Sequence, residues 1–108
     1  MADVRFRIDH HHLGIAIKVI DLFLDDQPSG EMLNMMHSIL QVLVVRLKRR
    51  HAERRLEYPL ILPVYQALAM RRVLMAGIDL IQEEQVRLQL RLILAVMDPK
   101  MTPYTVAH

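Results

Sequence analysis

The sequence predicts an all-α protein of three to four helices, arranged as a helical bundle that homodimerisation completes, with a short extended N-terminal arm. Two long segments with apolar residues at helical spacing carry the fold class, and an excess of aliphatic side chains carries the second copy. Hydrophobic residues make up 53% of the 108, yet aromatics only 5%. From Leu13 to Leu24 the only residues that are neither aliphatic nor aromatic are Gly14, Lys18 and Asp21. At about 100° per residue these three, with Asp25, fall on a strip about 60° wide. A helix resting on an ordinary core shows water a much broader polar face. This one needs enclosure on nearly every side, and a monomer of this size buries only about two-thirds of its unfolded surface. A partner is expected, most simply a second copy whose interface resembles a core cut in half.

Length and spacing divide a single domain into five parts. Residues 1–8 form the arm: Val4 to Ile8 alternates apolar and basic residues, the pattern of a short strand or an extended segment. Helix 1 covers 9–26, with Asp9 suited to cap its N-terminus. Gln27 to Gly30 reads as a turn, with Ser29 a candidate cap for helix 2 over 30–57. In helix 2, Leu33, Met36, Leu40, Leu43 and Leu47 form a heptad seam. Met32, Met35, Ile39, Val42 and Val44 widen the apolar arc to about 200°, enough for two neighbours.

Tyr58-Pro59 ends that helix, because the residue before proline is pushed out of helical geometry. Leu60 to Leu62 is a stiff apolar connector between two prolines, and Pro63 suits the first turn of a helix. Residues 63–97 hold helix 3/4, either broken at Gly77, with Asp79 and Gln82 as a capping pair, or kinked there. Residues 98–108, with Pro99 and Pro103, are expected to be a tail. Val86 to Leu92 alternates as a strand does, but Leu, Gln and Arg are good helix formers and β-branched residues are few, which favours helix. Ile81/Leu88/Leu92/Ala95 and Val86/Leu90/Ile93/Met97 then make two separate stripes on one helix, as if it were clamped between two layers.

Reactive chemistry has little material. There is no cysteine, so disulfides, thiolates and Cys-based zinc sites are excluded. Ser29 and Ser38 lie in no nucleophile motif, and three scattered glycines cradle no phosphate. His10, His11 and His12 are consecutive and splay apart on a helix. His37 and His51 lie about 21 Å apart along one, and no pair has the helical zinc spacing. No metal, no cofactor and no enzymatic activity are expected. The longest apolar run is too short for a membrane span and Lys18 and Asp21 interrupt it, so a cytoplasmic location without membrane contact is the expectation.

Charge is unevenly spread. Net charge is +2, but residues 1–45 carry three basic and six acidic groups, 46–55 six basic and one acidic, and the remainder five of each. If helix 2 runs through the basic segment, Arg46, Arg49, Arg50 and Arg54 continue the Met35/Ile39/Val42 flank. A strip results that is apolar at one end and guanidinium-rich at the other. Cations near a helix C-terminus also offset its dipole, which is the plainest reading of the cluster. Adaptable methionine beside arginine is common at recognition surfaces. The candidate partner-binding residues are therefore Met35, Ile39, Val42, Arg46, Arg49 and Arg50. The candidate dimer interface is Ile17, Ile20, Phe23, Leu33, Met36, Leu40, Leu43 and Leu47.

The expected function is that of a small non-enzymatic regulator that holds an apolar surface of a protein target. In size and make-up, though in no motif, the chain resembles the short helical antiactivators that bacteria use against transcription factors. That resemblance implies a target whose own dimerisation surface is blocked. The alternative is a small dimeric nucleic-acid-binding transcriptional regulator using residues 46–55, whose binding would fall steeply with salt.

Overall fold

Six elements follow one another as strand, helix, helix, strand, helix, helix. They are β1 (Asp3–Asp9), α1 (His10–Asp25), α2 (Glu31–His51), β2 (Glu57–Pro63), α3 (Val64–Leu80) and α4 (Glu84–Thr105). The structure, a computed structural model, describes residues 3–25 and 31–105, with backbone alone at 31–33 and 105. The fold is thus mostly helical but not purely so, because a two-stranded antiparallel sheet ties its halves together.

Each half is a strand followed by two helices. Phe6, the middle of β1, stands opposite Leu60, the middle of β2, with Asp3 facing Pro63 and Asp9 facing Glu57. The strand pair therefore has an approximate twofold axis at its centre. Every burial class from residue 34 to residue 49 of α2 recurs at 84–99 of α4, in the same order. The repeat is one of pattern, not of residue identity.

Alternation explains both strands. Val4, Phe6 and Ile8, with Tyr58, Leu60 and Leu62, face the helices and are buried, while the residues between them are more exposed. A strand was half expected at the N-terminus; the connector expected at 60–62 is a second one. Its prolines fit because β2 is an edge strand, where a missing N–H on the outer side breaks no ladder. The outer edge of β2 is closed further by α2. Arg46 Nη2 donates to the Ile61 carbonyl and Arg50 Nη2 to the Pro59 carbonyl, both at 2.9 Å. Prolines and covered carbonyls are devices that stop an edge from pairing with another chain.

The strands feed the helices directly. Asp9 caps α1 as expected, its Oδ1 accepting the His12 N–H at 2.7 Å. The apolar surface of α1 is met in part by the chain itself: Leu13, Ala16, Ile17, Val19 and Ile20 lie in one core with α2, α3 and α4 residues such as Leu43, Met70, Leu74 and Ile93, while Ile15, Phe23 and Leu24 are half-buried and Leu22 is exposed. The radius of gyration is 13.3 Å, against about 13 Å for a compact domain of this length. No helix of the described residues is long and apolar enough to cross a membrane.

Four boundaries depart from the sequence reading. Helix 2 was expected to reach residue 57, but α2 stops at His51. Good helix formers at 52–55 yield to the return of the chain to β1, with Arg54 in the left-handed region at φ 54°. Helix 3 does not break at Gly77; it continues to Leu80, and the Ile81 N–H closes it on the Gly77 carbonyl at 2.8 Å. Residues 86–92 are helical as favoured, but α4 begins at Glu84, so Asp79 and Gln82 do not open it. The expected tail from 98 is helical to Thr105 despite Pro99 and Pro103. Both prolines are exposed while Met97 and Met101 are fully buried, so the hydrogen bonds forgone are on the wet side. The expected turn and cap at 27–30, and residues 106–108, lie outside the described residues.

Gly77 is a packing glycine where α1, α3 and α4 converge. A Cβ there would stand 3.0 Å from Val19 Cγ1 and 3.1 Å from Leu90 Cδ1. Gly77→Ala should therefore lower stability by about 1–2 kcal/mol, against the roughly 1 kcal/mol gain that helix propensity alone would give. Urea unfolding of the two proteins measures the sign.

Candidate functional site

Enclosure within one chain takes most of the side chains expected at a dimer interface. Ile20, Leu40, Leu43 and Leu47 are fully buried and Ile17 nearly so, inside a single chain. Phe23 and Met36 are half-buried against the same core, and the Leu33 side chain lies outside the described residues. The physical reason is the repeat: α3 and α4, in the second half of the chain, share one core with these residues.

The strip expected to bind a partner is divided. Met35 and Val42 are 67% and 63% exposed, while Ile39 packs against the core. Arg46 and Arg50 reach back to the β2 carbonyls, and Arg50 also pairs with Glu53 at 3.2 Å. Arg49 is exposed with no partner among the described residues. Elsewhere in the basic segment, Lys48 pairs with Asp21 at 3.0 Å and Arg55 with Glu53 at 3.7 Å. Since α2 ends at His51, Arg54 and Arg55 do not extend its basic face. Arg46 and Arg50 thus serve the fold, while Glu53 and Asp21 are the only carboxylates paired with the segment among the described residues, so it keeps most of its positive charge.

The histidines do assemble, though not around an ion. His10 opens α1 and His51 closes α2, and their rings stack with centroids 3.9 Å apart. Gly14 makes the approach possible, since a Cβ there would lie 3.1 Å from His51 Nε2. Beneath the stack the buried Tyr58 hydroxyl donates to the His51 carbonyl at 3.2 Å and accepts the Arg55 N–H at 2.9 Å. It also lies 2.8 Å from His10 Nδ1. Among the described residues no three His, Asp or Glu side chains could hold a metal ion.

The third feature is α4, whose two stripes meet different surroundings. Leu90, Ile93, Leu94, Met97 and Met101 are in the core. On the other side Leu88, Leu92 and Val96 are 47%, 45% and 47% exposed, with exposed Ala95 and Pro99 beside them. Pro99 has no N–H, so the Ala95 carbonyl on this side lacks its helical donor. The ridge runs into a cleft of about 410 Å³ between α4 and the unpaired edge of β1. Arg7, Ile8, Asp9 and His12 line one wall, and Leu92, Ala95 and Val96 the other. His12 braces the end of this cleft. Its Nδ1 lies 3.0 Å from Asp9 Oδ2 and its Nε2 meets Gln89 Oε1 on α4.

Comparison of the halves gives this ridge its meaning. Leu88, Leu92 and Val96 occupy the places that Ser38, Val42 and Arg46 hold in α2, with the same exposure class at each. The fold accepts Ser and Arg there, so packing within the chain does not call for the apolar residues of α4. The stripe Ile81/Leu88/Leu92/Ala95 expected from the sequence shares Leu88 and Leu92 with this ridge but not Val96, and the contact role was expected on α2. The signal that could have shifted the choice is the proline pair: α4 stays helical beyond it only if its buried Met97 and Met101 hold it, which leaves the other stripe outside. Against known proteins, no family model, no curated protein and no solved structure matches the chain.

The histidine stack makes stability depend on pH. Burial lowers the His51 pKa below its ordinary value of 6.5, and the adjacent His10 lowers it further. The folded state therefore resists the charged form that the unfolded chain accepts. Above pH 6.5 the imidazole is neutral in both states and its full contribution is present. As pH falls below 6.5 the unfolded chain binds the proton first and stability is lost, levelling off once the folded pKa is passed. Thermal melts from pH 7.5 to 5 should show a falling midpoint, and His51→Gln should flatten that slope whatever its own stability.

Proposed function

We propose that this protein is a small, non-enzymatic, cytoplasmic regulator that works by protein–protein contact, and that its contact surface is the outward ridge of α4 with the adjoining cleft. The observation that carries the reading is the apolar ridge Leu88/Leu92/Val96, at places where the other half of the molecule tolerates Ser38 and Arg46. Contiguous exposed apolar surface rimmed by charge marks interaction sites, and here Glu84, Arg91 and Lys100 supply the rim. The occupant suited to such a ridge is an apolar helix. One turn of α4 after another offers Leu88, Leu92 and Val96 to it at the i, i+4 spacing by which helices read each other.

Some transcription factors dimerise through apolar helices, as zipper and helix-loop-helix proteins do. A protein that occupies such a helix blocks assembly without any chemistry, which is how an antiactivator-like regulator acts. Met35, Val42 and Arg49 on α2 then form a secondary surface, smaller and more mixed in character.

The test is capture by the immobilised full chain, with wild type, Leu92→Glu and Val42→Glu compared. Wild type should retain a specific protein at both low and high salt, and that protein's own dimer should dissociate when the regulator is added. Leu92→Glu should weaken retention at least tenfold, roughly the 1.4 kcal/mol scale of placing one charge in an apolar contact. Val42→Glu should leave it intact. Retention indifferent to Leu92, or retention of nucleic acid that collapses with rising salt, would remove this reading.

A further inference from the structure

We infer that, in the absence of a target, the α4 ridge is covered by a second copy of this chain, in an antiparallel helix pairing about a twofold axis near Leu92. This rests on the reading of α4 as the contact surface and names its resting occupant.

The argument lies in the order of residues along one helical row. Glu84, Leu88, Leu92, Val96 and Lys100 succeed each other at intervals of four, with an acid at one end, a base at the other and three apolar side chains between them. Rows of this kind are the ridges of the commonest helix-packing class, in which the i±4 ridges of two helices run together at a crossing of about 50°. A twofold axis perpendicular to the ridge reverses it. Glu84 then comes toward Lys100 of the second copy, Lys100 toward its Glu84, and Leu88 toward its Val96. The row is complementary to itself.

Neighbouring observations fit the same occupant. Ala95 and Pro99 lie next to the ridge and are small, so they form the groove that a ridge from a second helix enters. Lys100 has no ion-pair partner among the described residues, and Glu84 touches only Arg87, at 3.1 Å, with its own side chain 81% exposed. Lys100 is thus free to answer a second copy, and Glu84 has only an exposed pair within its own helix to exchange. The corresponding row of α2, Asn34/Ser38/Val42/Arg46/Arg50, has no acid at either end and a single apolar residue, Val42, at its centre. The other sheet edge, which could offer a competing route to self-association, is closed by Pro59, Pro63, Arg46 and Arg50.

One ridge covers less than the roughly 800 Å² per partner of a standard interface, so the pair belongs to the weak, exchangeable class. That suits a regulator whose target must displace the second copy: the dimer stores the surface and the target releases it.

Sedimentation equilibrium of the full chain, from micromolar to millimolar concentration, tests this. Wild type should move from 12.6 kDa toward twice that mass as concentration rises. Leu92→Glu should stay single throughout while melting as wild type does, because the side chain it replaces is outside the core. Glu84→Lys and Lys100→Glu should each weaken the dimer several-fold, and the double exchange should restore it, a recovery that a merely damaged fold would not show. Val42→Glu should dimerise as wild type does. A wild-type mass of 12.6 kDa at every concentration, a dimer that survives Leu92→Glu, or a double exchange no better than its singles would overturn the inference. A chain that never dimerises yet holds a target through Leu92 overturns the second copy and leaves the contact-surface reading standing. A Leu92-dependent dimer that holds no target does the reverse.

Discussion

The pairing of β1 with β2 is the constraint on which the rest of the molecule depends. A two-stranded sheet is marginal by itself. Here it is stabilised because Val4, Phe6, Ile8, Tyr58, Leu60 and Leu62 all point into the helices. It also sets where those helices start, since His10 follows Asp9 and Val64 follows Pro63 with no intervening loop. The Phe6–Leu60 centre of the pair thereby fixes α1 and α3, and each of these carries its own following helix. The His10 N–H continues the ladder by one step to the Leu56 carbonyl at 3.1 Å, which joins strand, helix start and return loop. Removing the strand pair would leave two helical hairpins joined only through the core they share, with nothing to fix where α1 and α3 begin.

How much of this was legible in the sequence depended on whether a local rule or a tertiary one governed the element. The helices were legible because their apolar periodicity is long and strong, and β1 was half legible because Val4 to Ile8 alternates over a span too short to separate strand from arm. β2 was hidden by its own prolines, which usually argue against a strand and here mark its free edge. The end of α2 was hidden because nothing between Ala52 and Leu56 breaks a helix; the return to β1 does so instead. The heptad seam of α2 was legible as an apolar face and was assigned to a second copy, because the neighbour it meets within the chain could not be read. Leu40, Leu43 and Leu47 pack against their own chain because the halves repeat in burial while sharing few residues.

Function-bearing features were legible in the same partial way. The arginine cluster drew attention as a binding strip because charge density is visible in a sequence, whereas a carbonyl that accepts it is not. Arg46 and Arg50 turn out to guard a strand edge. The two stripes of α4 were visible, and their separation by more than a core-facing arc already implied contacts on two sides. What the sequence could not show was which stripe the fold would use. Once the first stripe lies inside, the second gains significance from Ser38 and Arg46, the residues that the same architecture accepts elsewhere.

The register of the sheet also governs how the molecule can be made. Residues 3–9 find their mates only at 57–63, so a nascent chain must expose more than half its length before its first strand has anything to join. Until then the early helices hold apolar flanks that only later residues will cover. Loops spanning so many residues are slow to close, and during that interval the growing polypeptide is most open to proteases and to sticking. The two halves, alike as they are, share one sheet and one core, and a fragment ending before Glu57 should not retain the native arrangement of α1 and α2.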